Sequence, residues 1–190
     1  MRRWWSALRG DARGSILVEF AVVLPVLFVM YVGSFVLLDE FTAGRKVTIT
    51  TRTITDLTTR YDIITTAQAK TVLAASAQVL VPYAGENMRA RMSELLVTGP
   101  TTGRVMWSVV PDAQTSDATM PALASCATVT LPNAMAPVST HLVMGEVNIT
   151  YHPVVGLGAP TDMVLRDRSF MSPRNVISIA LDGATMPTCP

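Results

Sequence analysis

The first part of the chain contains one long apolar run. Between Ser15 and Leu38 there are 24 residues, and all of them are apolar or small except Glu19. As an α-helix this run would be about 36 Å long, which is enough to cross a hydrocarbon core of about 30 Å. Pro25 lies inside it, where it is expected to kink the helix or loosen one turn, as membrane helices tolerate. The pattern therefore predicts a single transmembrane helix over residues 15–38.

Charged residues flank this run unequally. Asp39 and Glu40 follow it directly, whereas one aspartate and four arginines precede it: Arg2, Arg3, Arg9 and Arg13. The positive-inside rule then predicts that residues 1–14 form a cytoplasmic basic leader and that the chain beyond Leu38 is exported. The run exceeds the roughly 7 to 15 apolar residues of a secretory signal, and no A-x-A-like site follows it. We therefore expect an anchor that is kept.

Beyond the span, residues 39–83 are predicted to form a helical region. The threonine-rich stretch that begins it favours helix weakly, but its apolar residues recur at helical spacing: Val47, Ile54, Leu57, Tyr61 and Ile64. The pattern predicts a helix to about Thr59, a break near Tyr61–Asp62, and a second helix over residues 65–83 that stops at Pro82. We interpret the apolar stripe as a packing surface for the protein's own sheet, and a surface for a partner helix is the second choice.

The remaining chain, residues 84–190, changes to the two-residue alternation of strands. Residues 87–97 and 104–110 flank a GPTTG turn and predict a hairpin, and residues 161–171 are a further candidate strand. The clearest alternation predicts a strand with one buried and one wet face. Its inward residues would be Val143, Val147, Ile149 and Tyr151, and its outward residues Glu146, Asn148, Thr150 and His152.

These elements predict an α+β protein: a long N-terminal transmembrane helix, a second helix, and an exported antiparallel sheet of about four strands. Residues 112–137 are predicted to be a loop rich in Ala, Thr, Ser and Pro within the β-rich region.

Composition narrows the possible chemistry. Charged residues make up only 15% of the chain and the formal net charge is +1, so no basic field indicates nucleic acid as a partner. The phosphate-binding loop, the zinc-protease helix motif and the nucleophile elbow are all missing from the sequence. His141 and His152 stand apart, so we expect neither a catalytic nor a metal site. We expect an assembly component without cofactors, not an enzyme.

The chain has two cysteines, Cys126 and Cys189. Two isolated cysteines do not make a structural zinc site, which needs four ligands. An even count in a chain that begins with a membrane segment fits one disulfide in an oxidising compartment, and two free thiols are the alternative. A disulfide would tie the 112–137 loop to the C-terminal tail.

The carboxylate of Glu19 near the start of the apolar run needs an explanation. An ionisable group inside a membrane is costly and is expected to have a partner. If the chain were cut after Gly14, Ser15 would become a new N-terminus and Glu19 the fifth residue of the mature chain. The free amine of a neighbouring chain, presented at the same depth, would then be a suitable partner for Glu19.

These residues resemble a known motif. A basic leader that ends in Gly14, followed by an apolar helix with Glu19-Phe20, is similar to the prepilin-peptidase motif of type IV pilins. The short leader and the Val23-Leu24-Pro25 context resemble the TadE-like minor pilins, or pseudopilins, of the Tad (Flp) pilus system. The order of the segments DLTT, VPY, VMWS, GEVNITYHP and FMSPR extends this resemblance over most of the chain.

The resemblance implies a function and partners. It implies that a prepilin peptidase of the bacterial inner membrane recognises Gly14, Ser15, Glu19 and Phe20 and cleaves after Gly14. The mature helix would then assemble with other pilins and pseudopilins of a Tad-type pilus, with the C-terminal domain in the periplasm. The resemblance leaves open whether the protein would lie at the pilus tip, within the filament or in the assembly platform.

Two other interpretations stay open. The chain may be read as an uncleaved membrane-anchored scaffold or binding domain, for which Gly14 would be dispensable. It may also be read as an exported enzyme whose site is assembled from scattered residues, which predicts a concave pocket with clustered polar groups.

Overall fold

The computed structural model of the protein describes residues 13–83, 88–111, 119–133, 135–152, 162–183 and 185–189. The chain divides into two compact units. One consists of Met1–Glu40 and Pro153–Thr161, and the other of Phe41–His152 and Asp162–Pro190.

The described part of the first unit is helical. Helix α1 spans Arg13–Thr58 and continues through Pro25. The most apolar 18-residue window of this helix has a mean hydropathy of 2.5, and none of that window is buried. The prediction of an N-terminal helix that is long and apolar enough to cross a membrane is therefore confirmed.

The second unit begins with the remainder of α1, which ends at Thr58 as the sequence predicts. Strand β1, Ile63–Ile64, follows the break, and helix α2 spans Thr66–Leu80. A capping box explains why α2 begins there: the Thr65 hydroxyl accepts a hydrogen bond from the Gln68 amide, and the Gln68 side chain accepts one from the Thr65 amide. The second predicted helix is thus confirmed.

The main sheet is antiparallel and has five strands, so the prediction of about four is wrong by one. Its order is β4-β3-β2-β5-β6. The strands are β2 (Arg89–Gly99), β3 (Thr102–Val109), β4 (Thr128–Thr130), β5 (His141–Tyr151) and β6 (Met163–Met171). The predicted hairpin is β2–β3. The additional strand is β4, which lies in the predicted 112–137 loop and has only three residues, too few to show an alternation.

A second, two-stranded sheet was also not predicted. Strand β7, Ala180–Leu181, pairs in parallel with β1. Each strand has only two residues. Their pairing depends on contact between segments that are far apart in sequence, and no local pattern indicates it.

Helix α1 and the sheet share a core. Val47 and Ile54 of α1 are buried in one cluster with Leu73 of α2 and with Val143 and Val147 of β5. The interpretation of the α1 stripe as a packing surface for the protein's own sheet is thereby confirmed for these residues. Leu57 is the exception, because it is 40% exposed.

The prediction that β5 has one wet face is wrong for its first half, whereas the outward positions 148, 150 and 152 are half-buried or exposed. Residues 142–147 are all buried, and Leu142 and Met144 belong to a second cluster on the face opposite Val143 and Val147. Leu131, which follows β4, packs in this second cluster. Because the connection that carries β4 covers this face, even Glu146 is only 4% exposed.

Candidate functional site

The predicted processing residues all lie in α1. Gly14 and Ser15 fall within its first described turn. Glu19 lies four residues beyond Ser15, which corresponds to about 6 Å along the helix axis and to the same helix face. The side chains of Glu19 and Phe20 are exposed, Phe20 to 61%. Residues 1–12 of the predicted 1–14 basic leader lie outside the described residues.

The Glu19 carboxylate stands within an apolar surface. Its neighbours Ile16, Leu17 and Val18 are each at least 65% exposed. Within the described parts of the chain, no side chain forms a hydrogen bond or ion pair with Glu19. Such a helix can bury its surface in lipid or against other apolar helices, and in both settings a carboxylate requires an external donor.

The two cysteines are joined in the structure. The Sγ atoms of Cys126 and Cys189 lie 2.07 Å apart, and the two residues are separated by 63 in sequence number. The bond links the segment that leads into β4 to the C-terminal end of the chain, as the disulfide prediction expects.

A buried glutamate that sequence reasoning missed holds the C-terminal strap, residues 172–183, against the sheet. Glu94 of β2 is fully buried, and its Oε1 accepts a hydrogen bond of 2.9 Å from the Ile179 amide. The Trp107 indole donates to the Ile179 carbonyl oxygen over 2.7 Å. Nδ1 of His141 lies 3.2 Å from the same Glu94 oxygen. Both backbone polar groups of Ile179 are thus satisfied by side chains.

Further contacts fasten the same strap at its ends. The Arg174 amide donates to the Thr59 carbonyl oxygen over 3.0 Å, and the Arg174 guanidinium pairs with Asp56. At the other end, Asp182 accepts from the Thr66 amide over 2.8 Å and pairs with the Thr66 hydroxyl at the start of α2. These hydrogen bonds from Thr66 lower the pKa of the Asp182 carboxyl.

A second buried carboxylate lies on the other face of the sheet. Glu146 accepts hydrogen bonds from the Nε atoms of Arg91 (2.7 Å) and Arg168 (2.6 Å). The sequence pattern assigned Glu146 to a wet face, so it gave no sign of this triad. Cross-strand register joins the three residues, and it is not visible in the sequence spacing.

The histidines are separated. His141 adjoins Glu94, while Nδ1 of His152 lies 2.6 Å from an Asp162 oxygen at an exposed position. Among the described residues, no group of three or more His, Cys, Asp and Glu side chains is placed to hold a metal ion.

No protein-family model matches this chain, and neither a curated protein nor a solved structure matches it. The geometry of the chain itself therefore has to support any functional proposal.

Proposed function

We propose that this protein is a TadE-like minor pilin, or pseudopilin, precursor that takes part in assembly of a Tad-type pilus. A prepilin peptidase of the bacterial inner membrane would hydrolyse the peptide bond after Gly14. Water then supplies the oxygen and protons for the new carboxylate of the leader and the new ammonium group of Ser15. The leader lies on the cytoplasmic side and the disulfide-bonded domain in the periplasm.

The observation that carries this proposal is the lone carboxylate on an otherwise apolar, exposed helix. Glu19 has no partner in the described chain, and the surrounding surface is of the kind that lipid or neighbouring helices cover. A terminal amine from a processed neighbour would give Glu19 an opposite charge in a medium of low dielectric, where an unpaired carboxylate is costly.

The proposed pairing also has a geometric consequence. Ser15 and Glu19 of one chain are separated by about 6 Å along the helix axis. If the amine of one subunit binds Glu19 of the next, the two helices are offset by this distance. The ion pair would therefore fix the axial register between subunits, which apolar helix surfaces alone specify weakly.

The test of processing is the intact mass and N-terminal residue of the protein recovered from its native membrane. We expect a chain that begins at Ser15. Gly14→Leu should block the shortening, because a side chain at the cleavage site hinders access of the peptidase to the backbone. Gly33→Leu is the matched control in the same helix, since a Cβ at Gly33 meets nothing within 4 Å.

A full-length chain recovered in the presence of an active peptidase would contradict the proposal. It would favour the anchored scaffold instead, in which the exported domain holds a partner in the envelope and Gly14 has no special role.

The register is tested separately by Glu19→Ala and by Glu19→Gln, which keeps the shape and removes the charge. Both variants are expected to insert into the membrane but to lose pilus output, and their intact masses show whether cleavage after Gly14 still takes place. Normal pilus output from both would refute the ion-pair mechanism even if processing after Gly14 is observed.

A further inference from the structure

Three adjacent strands bring four arginines to one end of a single sheet face. Side chains two residues apart on a strand point to the same face, so neighbouring cross-strand rows of this face are two residues apart. The two rows at this end are Arg91–Glu146–Arg168 and Arg89–Asn148–Arg166.

The first row has its own anion. One oxygen of Glu146 accepts from Arg91 and the other from Arg168, at 2.7 and 2.6 Å between the joined atoms. Nη1 of Arg91 also donates to the Pro121 carbonyl oxygen over 2.7 Å. Two guanidinium groups thus share one carboxylate whose side chain is only 6% exposed. The first row therefore has a net positive charge. Its groups are partly buried, so charges interact there more strongly than in bulk water.

The second row has no carboxylate at its centre. Its central position is held by Asn148, which is neutral, in the place that corresponds to Glu146 in the first row. The exposed guanidinium of Arg166 and the amide of Asn148 form no hydrogen bond or ion pair with any described part of the chain. Unused donors therefore stand where the first row has a carboxylate.

A cavity of about 340 Å³ lies over these rows. Arg91, Arg166 and Arg168 line it together with Glu146 and Asn148, and Thr119, Met120 and Asp167 complete its wall. Asp167 stands between Arg166 and Arg168 on β6, so strand alternation directs its side chain to the opposite face. Among the described residues on the cavity face, three arginines accompany one carboxylate.

We propose that this cavity binds a phosphate group, which occupies in the second row the place that the Glu146 carboxylate occupies in the first. Arg166 and Asn148 donate to its oxygens from neighbouring strands, and the outward part of Arg168 supplies further positive charge. Phosphate fits better than a carboxylate for two reasons. It offers more than two acceptor oxygens to donors from several directions, and its charge of between −1 and −2 matches the excess of two guanidinium groups.

The source of the phosphate is either a free phosphate or the head group of an anionic lipid. Both present phosphoryl oxygens to the guanidinium forks, but the lipid phosphate is a diester with two non-ester oxygens and one charge. A titration that compares the two chemical forms therefore identifies the source.

The experiment is calorimetric titration of the full chain in a neutral detergent. The probes are sodium phosphate and glycerophosphoglycerol, a soluble phosphate diester, with sodium chloride at equal ionic strength as the blank. We expect saturable binding of at least one probe. A stronger response to inorganic phosphate assigns a free phosphate, and a stronger response to the diester assigns a lipid head group.

Three variants make the assignment specific. Arg166→Gln should weaken binding by at least about tenfold, the loss of one charge-assisted hydrogen bond. Asn148→Glu places an internal carboxylate in the second row and should abolish binding. Arg52→Gln removes an exposed arginine of helix α1 and should leave the affinity unchanged. Because Arg166 is exposed, its replacement does not disturb the core, and it decides the question even if Asn148→Glu misfolds.

Each other result overturns the proposal. If the wild-type chain binds neither probe, the cavity is not a phosphate site. Equal affinity of the wild type and Arg166→Gln would place any binding elsewhere. If Arg52→Gln and Arg166→Gln lose the same affinity, the binding depends on the overall charge of the protein and not on this cavity.

Discussion

Helix α1 contains two stretches that differ in composition and in burial. Residues 16–38 are almost entirely apolar and mostly exposed, whereas residues 43–59 are rich in threonine, and most of these threonines are buried. The usual assignment of apolar residues to the inside and polar residues to the outside is thus reversed within one helix.

Burial of the threonine stretch costs little where its hydroxyls are satisfied within the helix, and the Thr50 hydroxyl, which has no hydrogen-bond partner among the described residues, is the exception. Thr51 donates to the Val47 carbonyl oxygen over 2.9 Å, and Thr55 donates to the Thr51 carbonyl oxygen over 2.8 Å. Thr58 does the same toward Ile54 over 2.8 Å. A buried hydroxyl with a partner avoids the penalty of an unpaired polar group. Small side chains also let the helix approach the sheet closely at Gly145.

The apolar stretch of α1 is, by contrast, exposed. Its side chains have no cover within the described chain, and exposed apolar area of this extent is costly in water. Its environment must come from outside the chain, which is why a membrane and neighbouring helices enter the functional proposal.

The sharpest test of this comparison places lysines in both stretches. Leu27→Lys with Phe28→Lys puts two charges at the centre of the apolar stretch and should cost about 5 to 7 kcal/mol of insertion free energy. We expect the doubly substituted protein to leave the carbonate-resistant membrane fraction. The matched control is Ile49→Lys with Leu57→Lys, at side chains that are 46% and 40% exposed.

The control should remain inserted and folded, since surface substitutions usually change stability by less than about 1 kcal/mol. Equal loss from the membrane in both variants, or no loss in either, would remove the distinction between the two stretches.

Loss of the disulfide should have the next largest effect. Cys126→Ser with Cys189→Ser opens a loop whose ends have a sequence separation of 63, and the chain-entropy account assigns about 4 kcal/mol to its closure. We expect a lower urea midpoint of the full chain in detergent. Amide exchange should rise in residues 43–58, which depend on the folded sheet, and stay unchanged in residues 16–38. An unchanged midpoint would show that the bond does not stabilise the fold.

A smaller effect is expected where the threonine stretch meets the sheet. A Cβ added at Gly145 would collide with the Thr55 hydroxyl and come within 3.2 Å of the Thr51 carbonyl oxygen. Gly145→Ala should therefore lower the free energy of unfolding by about 1 to 3 kcal/mol, measured by urea denaturation. Thr55→Ala in the same chain should restore part of the loss, because it removes the nearer of the two obstacles.

Gly44→Ala is the control for this substitution. Gly44 lies in helix α1, and a Cβ at this position meets nothing within 4 Å. It should be neutral or stabilise by up to about 1 kcal/mol. If Gly145→Ala behaves like Gly44→Ala, the close approach of helix and sheet does not matter for stability.

The smallest effect concerns pH and the start of α2. Hydrogen bonds from Thr66 lower the pKa of Asp182 below 3.8, so the contribution of this carboxylate to stability is present above the unfolded-state pKa. It is lost as the pH falls through the lower folded-state pKa. Asp182→Asn should be slightly less stable than the wild type at pH 7, and thermal unfolding should show the difference disappearing in strong acid.

The control is Asp62→Asn. Asp62 is also exposed but lies in the connection between the two helices, and its replacement should show a smaller pH-dependent difference. A constant difference between the wild type and Asp182→Asn at every pH would contradict the role of the Asp182 charge.

Local patterns in the sequence were enough for the elements whose signal repeats several times. The apolar run, the end of α1 near Thr59, helix α2 and the long strands β2, β3, β5 and β6 all follow from periodicity and from helix start and stop signals. The short strands β1, β4 and β7 did not, because two or three residues carry no period. The wet face assigned to β5 was wrong for its first half because the covering connection lies elsewhere in the chain.

The candidate processing residues Gly14, Ser15, Glu19 and Phe20 are also local, since they lie within seven consecutive positions. The sequence alone therefore determined the helix that is long and apolar enough to cross a membrane, and the motif on which the proposed function rests. Only the tertiary structure decided the hydrogen bond from the Ile179 amide to Glu94 and the arginine rows around Glu146 and Asn148. The arginine rows meet through strand register, whereas Ile179 reaches Glu94 from the strap that follows β6, and both arrangements join residues far apart in sequence.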